Sequence, residues 1–172
     1  GLLGAPGTGA TVAADFNNDG LLDLYLNGFE STRKSEGMVK LYLNAGNGKF
    51  RDATPGSGLE ATIKKTRSLI HVRVTAADFN NDGLVDILSA TPSPYRLYMN
   101  LGNGKFKEIS KQAGINMGSG KPCATVSDID NDGKIDLALL NGKNGIWLGR
   151  NITNTGNNWL RVKLKGLKGN PE

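Results

Sequence analysis

The sequence is short of the residues on which covalent or catalytic chemistry is usually built. It has one cysteine, Cys123, so no internal disulfide can form, and one histidine, His71, so no Cys/His cluster exists for zinc. Cys123 precedes an apolar, strand-like stretch and is expected to be buried there as a small apolar residue. His71 opens the alternating run His71-Val72-Arg73-Val74-Thr75; with no Ser or Cys nucleophile motif to accompany it, it reads as a strand residue rather than a base. No apolar run approaches the roughly 18 residues that span a bilayer. No signal peptide is visible and residue 1 is Gly, so the chain is expected to be a piece of something longer. Helix signals are weak, because glycine and β-branched residues interrupt every candidate segment except one turn around 110–113. Lys and Arg outnumber Asp and Glu by 21 to 16, yet they form no cluster of the length expected of a nucleic-acid patch.

What the sequence does have is a concentration of acid. Ten of its 16 acidic residues fall in three copies of one nine-residue pattern. The copies are Asp-Phe-Asn-Asn-Asp-Gly-Leu-Leu-Asp from Asp15, Asp-Phe-Asn-Asn-Asp-Gly-Leu-Val-Asp from Asp78, and Asp-Ile-Asp-Asn-Asp-Gly-Lys-Ile-Asp from Asp128. Oxygen-bearing side chains occupy positions 1, 3, 5 and 9, and glycine is fixed at position 6, where the backbone must reverse. Alternate residues of a tight turn can aim several oxygens at one hard cation. Carboxylates packed this closely repel one another, and a divalent ion relieves all of them at once. Each loop therefore reads as a calcium site rather than an Asx-rich turn without metal. It is not an EF-hand: that loop needs a bidentate Glu at position 12, which here is Leu26, Ser89 or Leu139. The third loop has four carboxylates where the others have three and an Asn, so it is expected to bind calcium most tightly. With the ten loop carboxylates set aside, the remaining six acids face 21 cations, a balance of +15. Such a balance attracts acidic polymers, although scattered lysines also protect strand edges and keep a glycine-rich β protein soluble.

The loops begin at Asp15, Asp78 and Asp128, intervals of 63 and 50 residues that suit propeller blades. More than the loop recurs. Leu41-Tyr42-Leu43-Asn44-Ala45-Gly46-Asn47-Gly48-Lys49-Phe50 returns as Leu97-Tyr98-Met99-Asn100-Leu101-Gly102-Asn103-Gly104-Lys105-Phe106. A coda follows each, with Thr54 and Gly58-Leu59 matching Ser110 and Gly114-Ile115; the third copy shortens to Ile146-Trp147-Leu148-Gly149. The Asn-Gly pairs at Asn47, Asn103, Asn27, Asn141 and Asn144 predict tight turns. Four short antiparallel strands per unit give an all-β fold, a partial propeller of about three four-stranded blades. Phe16, Phe79, Phe50, Phe106, Tyr42 and Tyr98 recur at equivalent places and are expected to pack blade on blade. Trp147 and Trp159 break that symmetry and are the candidates for surface recognition, with core packing as the plainer role.

Over roughly residues 10–150, the loops and the Leu-Tyr-x-Asn-x-Gly-Asn-Gly-Lys-Phe strand pairs resemble the FG-GAP or VCBS-type repeats of β-propellers, whose blades carry a calcium loop between their first two strands. Asn158-Trp159-Leu160-Arg161-Val162-Lys163-Leu164-Lys165-Gly166 is similar to the opening of an ASPIC/UnbV domain. The resemblance implies blades at about 1–60, 61–115 and 116–155, then an ASPIC/UnbV-like segment at 156–172. It also implies three Ca²⁺ sites. Site one would use Asp15, Asn17, Asp19 and Asp23 with the carbonyl of Leu21. Site two would use Asp78, Asn80, Asp82 and Asp86 with the carbonyl of Leu84. Site three would use Asp128, Asp130, Asp132 and Asp136 with the carbonyl of Lys134. No acid/base cluster stands outside the loops, so the expectation is a non-catalytic, secreted or cell-surface module for adhesion or assembly. Its partners would be a protein, a glycan, or further blades of its own longer chain or of neighbouring subunits, and not a specific nucleic acid. The alternatives are an accessory domain of a polysaccharide-active enzyme and a basic, lectin-like binder of acidic glycans. Asn151-Ile152-Thr153 also fits a glycosylation acceptor pattern.

Overall fold

A computed structural model describes residues 8–29, 37–60, 73–90, 95–115, 123–141, 145–160 and 162. His71, most of the segment from 161 to 172 and the Asn-Gly steps at 142 and 144 lie outside them. Within them the chain forms eleven strands: β1 (Thr8–Ala14), β2 (Asp23–Phe29), β3 (Gly37–Asn44), β4 (Phe50–Asp52), β5 (Arg73–Ala77), β6 (Asp86–Ala90), β7 (Arg96–Asn100), β8 (Phe106–Glu108), β9 (Ala124–Ser127), β10 (Asp136–Asn141) and β11 (Gly145–Gly149). They make three antiparallel meanders, β1-β2-β3-β4, β5-β6-β7-β8 and β9-β10-β11, with no helix among the described residues. Each acidic loop joins the first strand of a meander to its second.

Period-two alternation gives each sheet a buried face at a seam, and the middle sheet, packed between the other two, buries both of its faces in β6. Tyr25, Leu41 and Leu43 of the first blade meet Ile87, Tyr98 and Phe106 of the second. Leu88, Leu97 and Ile115 of the second meet Leu137 and Leu139 of the third. Phe16, Tyr98, Phe106 and Phe79 pack at these seams as expected, whereas Tyr42 and Phe50 are only half-buried and belong to neither seam cluster. Phe16 lies edge-on to Phe106, centroids 5.8 Å apart at 74°. The turns at Asn47-Gly48 and Asn103-Gly104 are type I′: φ is positive at both central residues, and Lys49 and Lys105 donate back to the carbonyls of Gly46 and Gly102 at 3.0 Å. The single helical turn also forms, with Ala113 N–H donating to the Ile109 carbonyl at 2.9 Å.

Four expectations change. Asn27-Gly28 is not a turn. Both residues pair within β2, the buried Asn27 amide donates to Ser89 Oγ of the next blade at 2.7 Å, and a Cβ on the facing Gly9 would lie 1.9 Å from the Asn27 carbonyl. Cys123 is exposed rather than buried: it sits just ahead of β9, where its carbonyl accepts from Leu140 N–H while its side chain faces out. The third blade has three described strands rather than four. After β11 the chain carries no Gly-Lys-Phe hairpin and runs instead across the acidic loops, where Thr155 Oγ1 donates to the Asn80 carbonyl at 2.8 Å. Finally, β10–β11 register places Gly149 where Tyr42 and Tyr98 stand in the other blades. Trp147 folds over that glycine and takes the tyrosine's space from two residues upstream, packing half-buried against the core of the second seam. A Cβ on Gly149 would lie 2.2 Å from the indole, so Gly149→Ala is expected to cost about 1–3 kcal/mol by displacing the ring, read by urea unfolding.

Candidate metal centre

The three loops are built alike, main chain first. The Asn at position 4 takes positive φ in every copy (Asn18 56°, Asn81 55°, Asn131 63°), and the Gly at position 6 sits near 85° (Gly20 85°, Gly83 84°, Gly133 84°). Asn tolerates the left-handed region because its short polar side chain compensates, and glycine has no Cβ to clash there. Turning the chain twice in nine residues points the side chains at 1, 3 and 5 inward. Asp15 accepts from the N–H groups of Asp19 (3.1 Å) and Gly20 (2.8 Å). Asp78 accepts from Asp82 and Gly83 at the same distances. Asp19, Asp82 and Asp132 each accept from the N–H two residues on, that of Leu21, Leu84 and Lys134. Asn17 and Asn80 orient their oxygens by donating Nδ2 to Asp19 and Asp82, both at 2.9 Å.

The ninth residue behaves differently. Asp23, Asp86 and Asp136 are buried. One carboxylate oxygen of each accepts from the N–H of loop position 2 (Phe16, Phe79, Ile129) at 2.9 Å. The other accepts from the N–H of an Asn at or just past the end of the third strand: Asn44 at 2.8 Å, Asn100 at 2.7 Å and Asn151 at 2.7 Å. Two of those asparagines then cross the seams, while Asn44 bonds Leu22 of its own blade. Asn100 Nδ2 donates to the Phe16 carbonyl of the preceding blade at 2.9 Å and to Val85 at 3.0 Å. Asn151 Nδ2 donates to the Phe79 carbonyl at 2.7 Å and to Ile135 at 3.1 Å. A second cross-tie runs the other way, from Asn18 to the Gly83 carbonyl (3.2 Å) and from Asn81 to that of Gly133 (3.0 Å). The Asn151 amide nitrogen that a glycan would occupy is thus committed to the fold.

The residues fit a hard divalent cation. Each hydrogen-bonded carboxylate oxygen keeps a second lone pair. In the third loop Asp128, Asp130 and Asp136 each offer an oxygen within 4.8 Å of the others. In the second, burial pushes the Asp86 carboxyl up to about 7 against the Asn100 and Phe79 N–H donors, and the charges of Asp82 and Asp78 add to the rise. Burial likewise raises Asp23, with Asp19 and Asp15 adding. Ionised carboxylates this crowded need a counter-charge. An all-oxygen donor set of flexible geometry suits calcium better than magnesium, which holds to octahedral geometry and its own waters.

The third loop supplies part of its own counter-charge. Arg150 Nε lies 2.5 Å from Asp130, its other nitrogen 3.4 Å from Asp132, and Lys134 Nζ 3.6 Å from Asp132. The Lys134 N–H, with the charges of Lys134 and Arg150, holds the Asp132 carboxyl below the usual range. The carboxylate that distinguishes this loop is therefore matched by a guanidinium. Arg150→Gln is expected to tighten calcium at loop three about threefold, the scale of an exposed ion pair, in a calorimetric titration against the parent.

Three meanders seamed by recurring aromatics, each with an acidic loop between its first two strands, define a repeat protein of β-propeller type. The chain matches the FG-GAP-like repeat family over residues 15–89 and 78–139, and it belongs to that family. It is similar to human cartilage acidic protein 1 (31% identity over 105 residues, 59% of this chain and 15% of that protein). It is also similar to integrin alpha-4 of Xenopus laevis, at 31% over 151 residues, 80% of this chain and 14% of that protein. The chain thus spans about one-seventh of the length of the relatives it matches. Among the described residues no helix is long and apolar enough to cross a membrane.

Proposed function

We propose that this chain is a calcium-stabilised, non-catalytic interaction module of a secreted or cell-surface protein, serving adhesion or assembly. One observation carries the reading: the same oxygen-lined loop recurs three times at the same strand junction, with its ninth carboxylate buried and held by two main-chain N–H groups each time. In this reading the side chains at positions 1, 3, 5 and 9 and the carbonyl at position 7 hold Ca²⁺ in all three loops, and water completes the shell. The ion supplies positive charge that lets the loops close. The names of the relatives, an integrin α chain and a cartilage protein, support an extracellular setting and protein partners. The segment from 156 would open an ASPIC/UnbV-like region.

The described acids outside the loops have structural work. Asp52 pairs with Lys40 at 2.6 Å, Glu108 with Arg96 at 2.9 Å, and Glu60 accepts from the N–H groups of Gly56 and Gly58. That leaves no acid/base pair among them poised for hydrolysis and supports a binding role.

Terbium, a luminescent calcium substitute, tests the metal sites directly. Trp159 packs on Gly133, so indole excitation should sensitise an ion in loop three. Trp159→Phe should remove most of that emission, calcium should quench it by competition, and calorimetry should count three calcium ions per chain. No calcium uptake by either method would sink the proposal.

A further inference from the structure

Between the second and third blades lies a cavity of about 340 Å³, lined by Phe79, Leu97, Met99, Ile115, Leu137 and Trp147 among others. The first seam shows what such a place holds. There β8 of the second blade lies against the first blade. Phe106 meets Phe16 edge-on, its N–H donates to the Ser57 carbonyl at 2.7 Å, and its carbonyl would be 2.1 Å from a Cβ on Gly58. Lys105 Nζ caps the Gly56 carbonyl at 2.7 Å.

Every element of that seat recurs at the second seam. Phe79 stands for Phe16, Leu97 and Met99 for Leu41 and Leu43, Ile115 for Leu59 and Ala113 for Ser57. Gly114 keeps the left-handed backbone of Gly58 (φ 69° against 85°), yet no atom of the described residues lies within 4 Å of where its Cβ would be. Among the described strands β11 has a partner on one side only, β10. Among the described residues, the chain after β11 does not supply the missing strand: residues 153–159 cross the acidic loops, and Trp159 sits on Gly133.

We propose that this groove accepts an extended strand from a partner protein, carrying a phenylalanine preceded by lysine, which pairs with Gly149–Asn151 at the β11 edge and completes the third blade. The phenylalanine enters the cavity toward Phe79, and its N–H donates to the Ala113 carbonyl. Strand addition of this kind takes affinity from main-chain hydrogen bonds and specificity from the side-chain pocket. Phenylalanine is the ring that fits because the first seam holds one in the matching seat, and Trp147 already replaces the strand tyrosine. The assignment rests on the chain being an interaction module, and it does not depend on which cation the loops hold.

The probe is a synthetic peptide of this chain's own residues 101–110, Leu-Gly-Asn-Gly-Lys-Phe-Lys-Glu-Ile-Ser, titrated in calcium into the full 172-residue chain by fluorescence anisotropy. The peptide should bind. Its Phe106→Ala version should bind at least about tenfold more weakly, consistent with loss of a buried aromatic anchor. Gly114→Ala in the protein, whose Cβ enters open space when no strand is bound, should stay folded by melting and also lose about tenfold, because the methyl would meet the incoming carbonyl. Gly58→Ala, where the strand is already in place, should instead destabilise the chain. No binding by the parent chain, or equal binding of either altered partner, overturns the proposal. Either result alongside intact calcium-dependent melting would leave the metal-stabilised module standing.

Discussion

Chelation with EGTA is expected to lower the melting temperature by about 15–30 °C. A site whose free ligand stands a hundredfold above its dissociation constant adds about 2.7 kcal/mol to the folded form, so three sites add about 8. For a chain of this size each kcal/mol moves the midpoint by about 2–4 °C. The direction follows from the loops. Asp23 and Asp86 are buried beside two further carboxylates each, and burial already raises both. Their ionised forms are tolerated in the fold only with positive charge close by. Calcium should restore the midpoint, and magnesium at equal concentration should restore less, because the loops offer irregular oxygen geometry. Calorimetric scans with and without chelator measure this. A shift of only a degree or two would mean that the loops hold their shape by hydrogen bonds alone.

The second large effect is expected at Asn100. Asn100→Ala should cost about 3–5 kcal/mol in urea unfolding, whereas Asn44→Ala should cost about 1. Both occupy the same place in their blades. Asn100 is buried and its side chain makes three bonds, to the carbonyls of Phe16 and Val85 and from the N–H of Gly102. Truncation leaves those buried groups unpaired, at about 1–3 kcal/mol each with partial rescue by water. Asn44 is half-buried, bonds Leu22 and Gly46, and ties no described neighbouring blade. Equal costs at the two positions would show that the tie across the seam contributes nothing.

The sequence made the local order legible. The nine-residue spacing located all three loops, the I′ turns at Asn47 and Asn103 followed from Asn-Gly, and period-two alternation placed the strands and the recurrent aromatics. The blade seams were less legible, because their partners lie far apart along the chain. Asn100 reaches Phe16 across 84 residues and Asn151 reaches Phe79 across 72. The one available signal was the Asn closing each Leu-Tyr-x-Asn strand, which the third copy repeats as Leu148-Gly149-Arg150-Asn151. Asn27-Gly28 misled because the pair that favours a tight turn also suits a strand where two backbones approach closely. Arg150 escaped notice because charge counting within a loop does not see a cation folded over it from outside.

The seam bonds join end to end. Asp23 holds the Phe16 amide, Phe16 holds Asn100, Asn100 holds Asp86, Asp86 holds Phe79, Phe79 holds Asn151, and Asn151 holds Asp136. An ion that draws in one ninth-position carboxylate thereby tightens the peptide unit on which the neighbouring turn leans. If the three turns take calcium as proposed, they should fill as a connected series, with uptake steeper than that of three independent turns. A break in the middle, at Asn100, would leave only the Asn18–Gly83 bond between the first turn and the second, and so would weaken their coupling without touching any metal-facing oxygen.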